Sequence, residues 1–213
     1  SLMKLFPEAP VYTLMYDKEK THGLFEGRVK RTSFLDFKFA RRHHRLFIPL
    51  MPPAASGIDL GSEYDLIISD TAGFAKGIRY DRSTTKHISY IHTPLRYAWE
   101  ASTYFSGSWY AKLFSLLAWP AFWYGRRNDF KPAQRPDLLI ANSSYIAAKI
   151  KKYYARDAQV VYPPIQSYEV GLPKIGNYYL ALGRFIEYKR FDLIIEACLR
   201  GNFNLKIGGS VDT

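Results

Sequence analysis

The chain has 213 residues, 47% of them hydrophobic and 16% aromatic, which excludes a disordered tail and leaves room for one packed domain and part of a second. Its formal net charge of +11 points to an anionic partner, whether nucleotide phosphates, lipid head groups or nucleic acid, and charge alone does not choose among them. The one cysteine, Cys198, sits in the apolar run LIIEACL and reads as a buried reduced thiol in a reducing, cytoplasmic setting; no apolar stretch reaches the ~18 residues of a transmembrane helix, so membrane contact is expected to be peripheral.

Ser1 to Phe6 reads as the tail of a helix, and Pro7 with Pro10 bounds a turn into a strand at Val11 to Met15. Val29 to Phe34 is the next strand candidate. Phe37 to Phe47 places Phe39, His43, Leu46 and Phe47 on one helical face, interleaved with Arg41, Arg42, His44 and Arg45. These cations read first as a solvated face and second as a patch for anionic lipid. His43 and His44 are adjacent and point apart on a helix, so no metal is predicted there or elsewhere.

After a Pro/Gly-rich connection, YDLIISD at Tyr64 to Asp70 predicts a strand buried on both faces of a parallel sheet. A short helix should follow, capped by Asp70 or Thr71 and ended by Gly77. The run ISYI then predicts another strand, which stops at a loop holding His92, Pro94 and Arg96. Ligands of open α/β sheets sit at the carboxyl ends of the strands, so His92 and Arg96 are candidates for sugar and phosphate contacts, against the alternative of a packed loop residue and a surface charge.

Tyr97 to Tyr124 is crowded with rings, including Trp99, Trp109, Trp119 and Trp123. Core packing with Pro120 bending the segment, and an interface resting on a bilayer with Lys112, Arg126 and Arg127 near head groups, explain it equally well. DLLIA after Pro136 predicts a buried strand, and Asn142 to Ser144 cap a helix whose face carries Ile146, Ile150 and Tyr153, with Lys149, Lys151 and Lys152 towards its carboxyl end. AQVVYPPI predicts a last strand. The domain boundary is expected at residue 165, giving domains 1–165 and 166–213. Beyond it come a strand YYLAL, Gly183 as a sharp turn, the cations Arg184 and Lys189 placed to meet one dianionic group, a helix DLIIEACL and a strand NLKIGG.

The series Gly183, Arg184, four residues, Lys189, two residues, Asp192, together with His92 in HTPLRYAWE and the later PDLLIANSSYIAAKIKKYY, resembles the retaining nucleotide-sugar glycosyltransferases of family 4. The fuller strings are similar to the mannosyltransferases of surface-polysaccharide biosynthesis. The resemblance implies an α/β fold of two Rossmann-like domains (GT-B), here a parallel-sheet acceptor-side domain and the incomplete start of a donor-binding domain. It implies that the family's opening strand, glycine-rich loop and acidic motif are absent from this chain, which is then a truncated and inactive piece prone to self-association through Leu193, Ile194, Ile195 and Leu199.

The activity implied is transfer of a sugar, with mannose from GDP-mannose the first expectation, to a glycan or lipid-linked acceptor at the inner face of the membrane. Gly183, Arg184 and Lys189 would hold the donor diphosphate, His92 would orient the sugar, and Arg96 would touch a phosphate, with no metal or other cofactor. The alternative is a non-catalytic module that binds anionic membrane or nucleotide. Nucleic acid is not expected as a partner, because no recognition helix or stacking signature is present.

Overall fold

The computed structural model describes residues 2–100, 119–165 and 176–210, with the side chain of Tyr188 left aside. The chain divides into two compact units, Ser1–Pro164 and Ile165–Thr213.

The first unit opens with α1 (Leu2–Leu5) and a parallel pair, β1 (Val11–Thr13) with β2 (Val29–Thr32). The predicted helix over Phe37 to Phe47 is two pieces, α2 (Lys38–Arg42) and a 3-10 helix His44–Leu50. The break falls at His43, which stands outside the helical region at φ −118° and ψ 39°. The helix α3 (Met51–Ser56) follows.

The centre is a four-stranded, all-parallel sheet in the order β3 (Leu66–Thr71), β4 (Lys86–Ile91), β5 (Leu138–Ala141) and β6 (Gln159–Val160). Its crossovers contain α4 (Arg96–Trp99), α5 (Trp119–Ala133) and α6 (Ser144–Tyr154). This is a Rossmann-like α/β arrangement. The expected cap of α6 is present, with Ser143 Oγ accepting from Ile146 N at 3.3 Å.

One face of the sheet is closed. Ile91, Leu139 and Ala141 pack with Ala133 of α5 and with Ile146, Ile150 and Tyr154 of α6. The other face is not closed to the same degree, and β3 and β4 alternate between buried and partly exposed positions where burial on both sides was expected. The continuous apolar run of β3 therefore marks only one buried face, because the helices that cover the sheet among the described residues lie on that side. The short helix expected after β3 is a 3-10 turn, Ala75–Gly77, which ends at Gly77 as expected, and Gly77 is buried against Pro132 and Ala55.

The closed face also holds polar groups. Ser69 Oγ donates to Ser89 Oγ at 2.9 Å and lies 2.8 Å from His87 Nε2, while His87 Nδ1 lies 3.1 Å from the Tyr80 hydroxyl. Each ring nitrogen thus meets a hydroxyl, and the Tyr80 hydroxyl also donates to the Arg135 carbonyl at 3.2 Å. Burial, and after it the charge of Arg135, push the His87 imidazole down to about 4.

The second unit has β7 (Tyr179–Leu182) parallel to β8 (Leu205–Gly208), with a 3-10 turn Glu187–Lys189 and α7 (Phe191–Arg200) between them. None of its described residues is fully buried. Cys198, expected to be buried, is only partly so. Gly183 also departs from expectation. A Cβ there would make ordinary contact with the Phe191 ring, whereas one at Gly209 would collide with the carbonyl of Gly183, so the close approach at this corner requires glycine at 209.

Two outcomes follow from this packing. Between pH 7 and pH 4 the unfolded His87 takes up a proton that the folded one refuses, so stability is full above pH 6.5 and falls as the pH drops toward 4. The loss should reach about 3 kcal/mol, read by urea unfolding of the first unit, which carries all four tryptophans; in His87→Gln this component should be missing. In hydrogen exchange, amides of β7, β8 and α7 should exchange far faster than those of β4, β5 and α6, since local opening costs least where no side chain is buried.

Candidate functional site at the carboxyl edge of the sheet

The register of the sheet decides which side chains meet at its carboxyl edge. Asp70 pairs with Tyr90, and Ile91 with Ala141. With a side-chain period of two, Asp70, Tyr90, His92 and Asn142 therefore share the open face, opposite to His87, Ser89 and Ile91.

The contacts agree with that parity. His92 Nε2 lies 2.5 Å from Asp70 Oδ1, and both side chains are accessible, 44% and 60% exposed. The Tyr90 ring stands edge-on to the His92 ring at 5.3 Å, and its hydroxyl donates to the Val161 carbonyl at 3.0 Å. Burial, and then the Asp70 carboxylate, raise the Tyr90 phenol above its ordinary range, so it stays a neutral donor. The backbone of His92 is tied on both sides, its N–H to the Thr71 carbonyl at 2.9 Å and its carbonyl to Asn142 Nδ2 at 3.2 Å. This is a fixed imidazole with a carboxylate partner on an accessible sheet edge. Such a pair can orient a hydroxyl or hold a proton.

Asp70, expected as a helix cap, is instead the partner of His92, and Thr71 Oγ1 accepts from Gly73 N at 2.9 Å in the turn. Asp70 reads in the sequence as a cap in preference to a ligand contact at the strand end, and nothing local marks Tyr90 and Asn142 as its neighbours. The strand parity could have found them once β3, β4 and β5 were laid side by side. Arg96 opens α4 and is exposed.

The loop that carries His92 is anchored from below by Asp129 of α5, which is fully buried. Asp129 Oδ1 receives Lys76 Nζ at 2.6 Å, and Oδ2 accepts from Leu95 N at 3.1 Å, Trp99 Nε1 at 2.7 Å and the Tyr154 hydroxyl at 2.8 Å. Lys76 also donates to the Gly73 carbonyl at 2.5 Å. Burial, and then the charge of Asp129, drive the Tyr154 phenol strongly upward. Trp99 in turn stacks on Tyr153 at 4.9 Å.

In the second unit, Arg184 follows β7 and Lys189 closes the 3-10 turn, both exposed. A cavity of about 500 Å³ lies beyond the strand, lined by Phe185, Ile186, Glu187, Arg190, Phe191 and Asp192. Its cation is Arg190, which the sequence reading passed over. Arg190 stands in the left-handed region at φ 51° and grips Asp192 through both carboxylate oxygens, at 3.0 Å and 2.9 Å. The pair holds the Asp192 carboxyl below its ordinary range. Asp192 thus serves its neighbour at the start of α7.

No group of three or more metal-ligating side chains occurs among the described residues, and no helix among them is long and apolar enough to cross a membrane. The chain matches no family model, no curated protein and no solved structure.

Removal of the Asp129 carboxylate leaves the Lys76 ammonium buried without its partner and three donors unserved. Asp129→Ala should therefore lose about 3–5 kcal/mol of stability by urea unfolding, and a loss below about 1 kcal/mol, the scale of a surface pair, would show the pair to be dispensable.

Proposed function

We propose that this chain carries the acceptor-side unit and donor-side motif of a retaining glycosyltransferase that moves a sugar, with mannose the first candidate, from a nucleotide diphosphate to a glycan or lipid-linked acceptor. The observation that carries this reading is the Asp70–His92 pair on the accessible carboxyl edge of a parallel sheet, where α/β folds receive their ligands. The series Gly183, Arg184, Lys189 and Asp192 in the second unit supports it from the sequence side.

In this proposal His92 orients a hydroxyl of the transferred sugar, and Asp70 fixes the imidazole through Nε2. The bond between the anomeric carbon and the diphosphate oxygen breaks while the acceptor oxygen attaches from the same side. The acceptor's proton passes to the departing phosphate oxygen. Negative charge grows on that group as the bond breaks, so Arg184 and Lys189 lower the barrier more than they tighten ground-state binding.

A panel of nucleotide sugars offered to the protein that contains this chain tests the assignment, with the anomeric configuration of the product read by NMR. A requirement for one nucleotide sugar and retention at the anomeric carbon are expected; binding of nucleotides without turnover of any of them would favour a non-catalytic binding module. In the same protein Arg184→Ala and Lys189→Ala should each cost about 2–4 kcal/mol of transition-state stabilisation, measured as kcat/KM with folding intact. Near-normal turnover in both would remove them from the diphosphate site.

A further inference from the structure

Two segments of the first unit that are far apart in sequence meet on its surface. The Tyr124 hydroxyl of α5 donates to the Pro49 carbonyl of the 3-10 helix at 2.9 Å, joining residues 37–50 to residues 119–127. Together these stretches hold six cations, Lys38, Arg41, Arg42, Arg45, Arg126 and Arg127, of which Arg41 is paired at 2.6 Å with the flanking Asp36, and no carboxylate of their own.

The same stretches display large apolar side chains to solvent. Phe39 is 57% exposed, Leu46 72% and Trp123 51%, and Phe37, Leu50 and Trp119 are exposed beside them. The rings are organised and not merely loose: Phe47 stands edge-on to Phe37 at 5.5 Å and to Phe39 at 6.1 Å, and Arg127 lies over the Trp123 ring at 5.4 Å. Rings that stand out of a surface whose charges are predominantly positive fit an interface that is apolar within and anionic at its rim.

We propose that residues 37–50 and 119–127 form one docking surface for an anionic lipid bilayer, with the rings entering the head-group layer and the arginines contacting lipid phosphates. Charge complementarity selects this occupant: the five cations left after Arg41 pairs with Asp36 repel a second copy of the same surface and attract a phosphate plane. The surface lies at the end of the unit that carries His92. The helix α5 runs back toward the start of β5, so its amino end stands at the carboxyl edge of the sheet, where Arg126 Nε donates to the Ala98 carbonyl at 2.9 Å just beyond the His92 loop. A bilayer bound there presents lipid head groups beside the candidate site. The inference does not rest on the transferase reading, because it is read by binding alone.

The test is sedimentation of the full chain with vesicles of phosphatidylcholine and of equimolar phosphatidylcholine and phosphatidylglycerol. Binding to the anionic vesicles, weakened by salt, and a blue shift of tryptophan emission are expected. The triple variant Arg42→Gln, Arg45→Gln, Arg127→Gln should lower partitioning on the order of a hundredfold, roughly fivefold per cation. A control triple at the opposite edge of the sheet, Arg82→Gln, Lys151→Gln, Lys152→Gln, removes the same charge and should change it several-fold less. In Trp123→Ala most of the blue shift should disappear. Equal loss in both triple variants, no binding to anionic vesicles, or a dimer in the absence of lipid that the first triple variant dissociates would each overturn the proposal.

Discussion

The carboxylate of Asp129 is the constraint on which the first unit turns. A charge taken fully out of water is tolerated only when it is paired and its remaining lone pairs are used, and Asp129 meets that demand with four donors from four separate segments. Lys76 comes from the turn after β3, Leu95 from the loop after β4, Trp99 from α4 and Tyr154 from the last turn of α6. Because α5 supplies the acceptor, the covering helices and the edge loops are tied to one point beneath the sheet. The small residues agree with this closeness: a Cβ on Gly125 would come within 3.1 Å of the Ala98 Cβ. Further out, Lys149 pairs with Glu100 at 2.5 Å, extending the tie from α6 to the end of α4.

That tie explains how an accessible site can also be a fixed one. Loops at strand ends are ordinarily the adaptable part of an α/β unit, and a residue on them gains catalytic precision only if the scaffold holds the backbone. Here the Leu95 amide is held from below and the His92 backbone is held by Thr71 and Asn142 from the neighbouring strand ends. The imidazole itself is left to meet Asp70 and solvent. Rigidity and exposure are divided between main chain and side chain.

The strand runs and the α6 cap were legible in the sequence because they rest on local physics: apolar runs, a serine before a helix, prolines at the turns. His92 at a strand end could be read as a candidate for the same reason. Asp129 could not. It lies in WYGRRNDFKPA, a polar stretch that reads as helix surface, and only the arrival of Lys76, Trp99 and Tyr154 from distant positions turns it into a buried hub. Asp70 was read as a cap since its own neighbours suggest a turn, and its partner is 22 residues away. Gly183 and Gly209 show the same limit: the sequence marks both as glycine, and the collision that requires one of them involves a carbonyl from the other strand end. Long-range placement, not local preference, separated the correct readings from the corrected ones.

The two histidines of β4 and its extension give one strand two chemistries. His87 and His92 lie five residues apart, an odd number, so the strand's period of two sends them to opposite faces. On the closed face His87 is confined among Ser69, Tyr80 and Ser89, and the environment penalises its charge so strongly that it is a structural, neutral hydrogen-bonding group across the physiological range. On the open face His92 meets the Asp70 carboxylate, and water can reach both. A shift of one residue in the register of β4 would exchange them, burying the ring that has a carboxylate partner and exposing the one that does not. The Asp137 side chain guards against that slip: its Oδ2 accepts from His87 N at 2.9 Å, and its own N–H donates to the His87 carbonyl at 2.8 Å, which pins the first residues of β4 against the start of β5. Backbone hydrogen bonds at the amino edge thus fix which imidazole stands at the carboxyl edge.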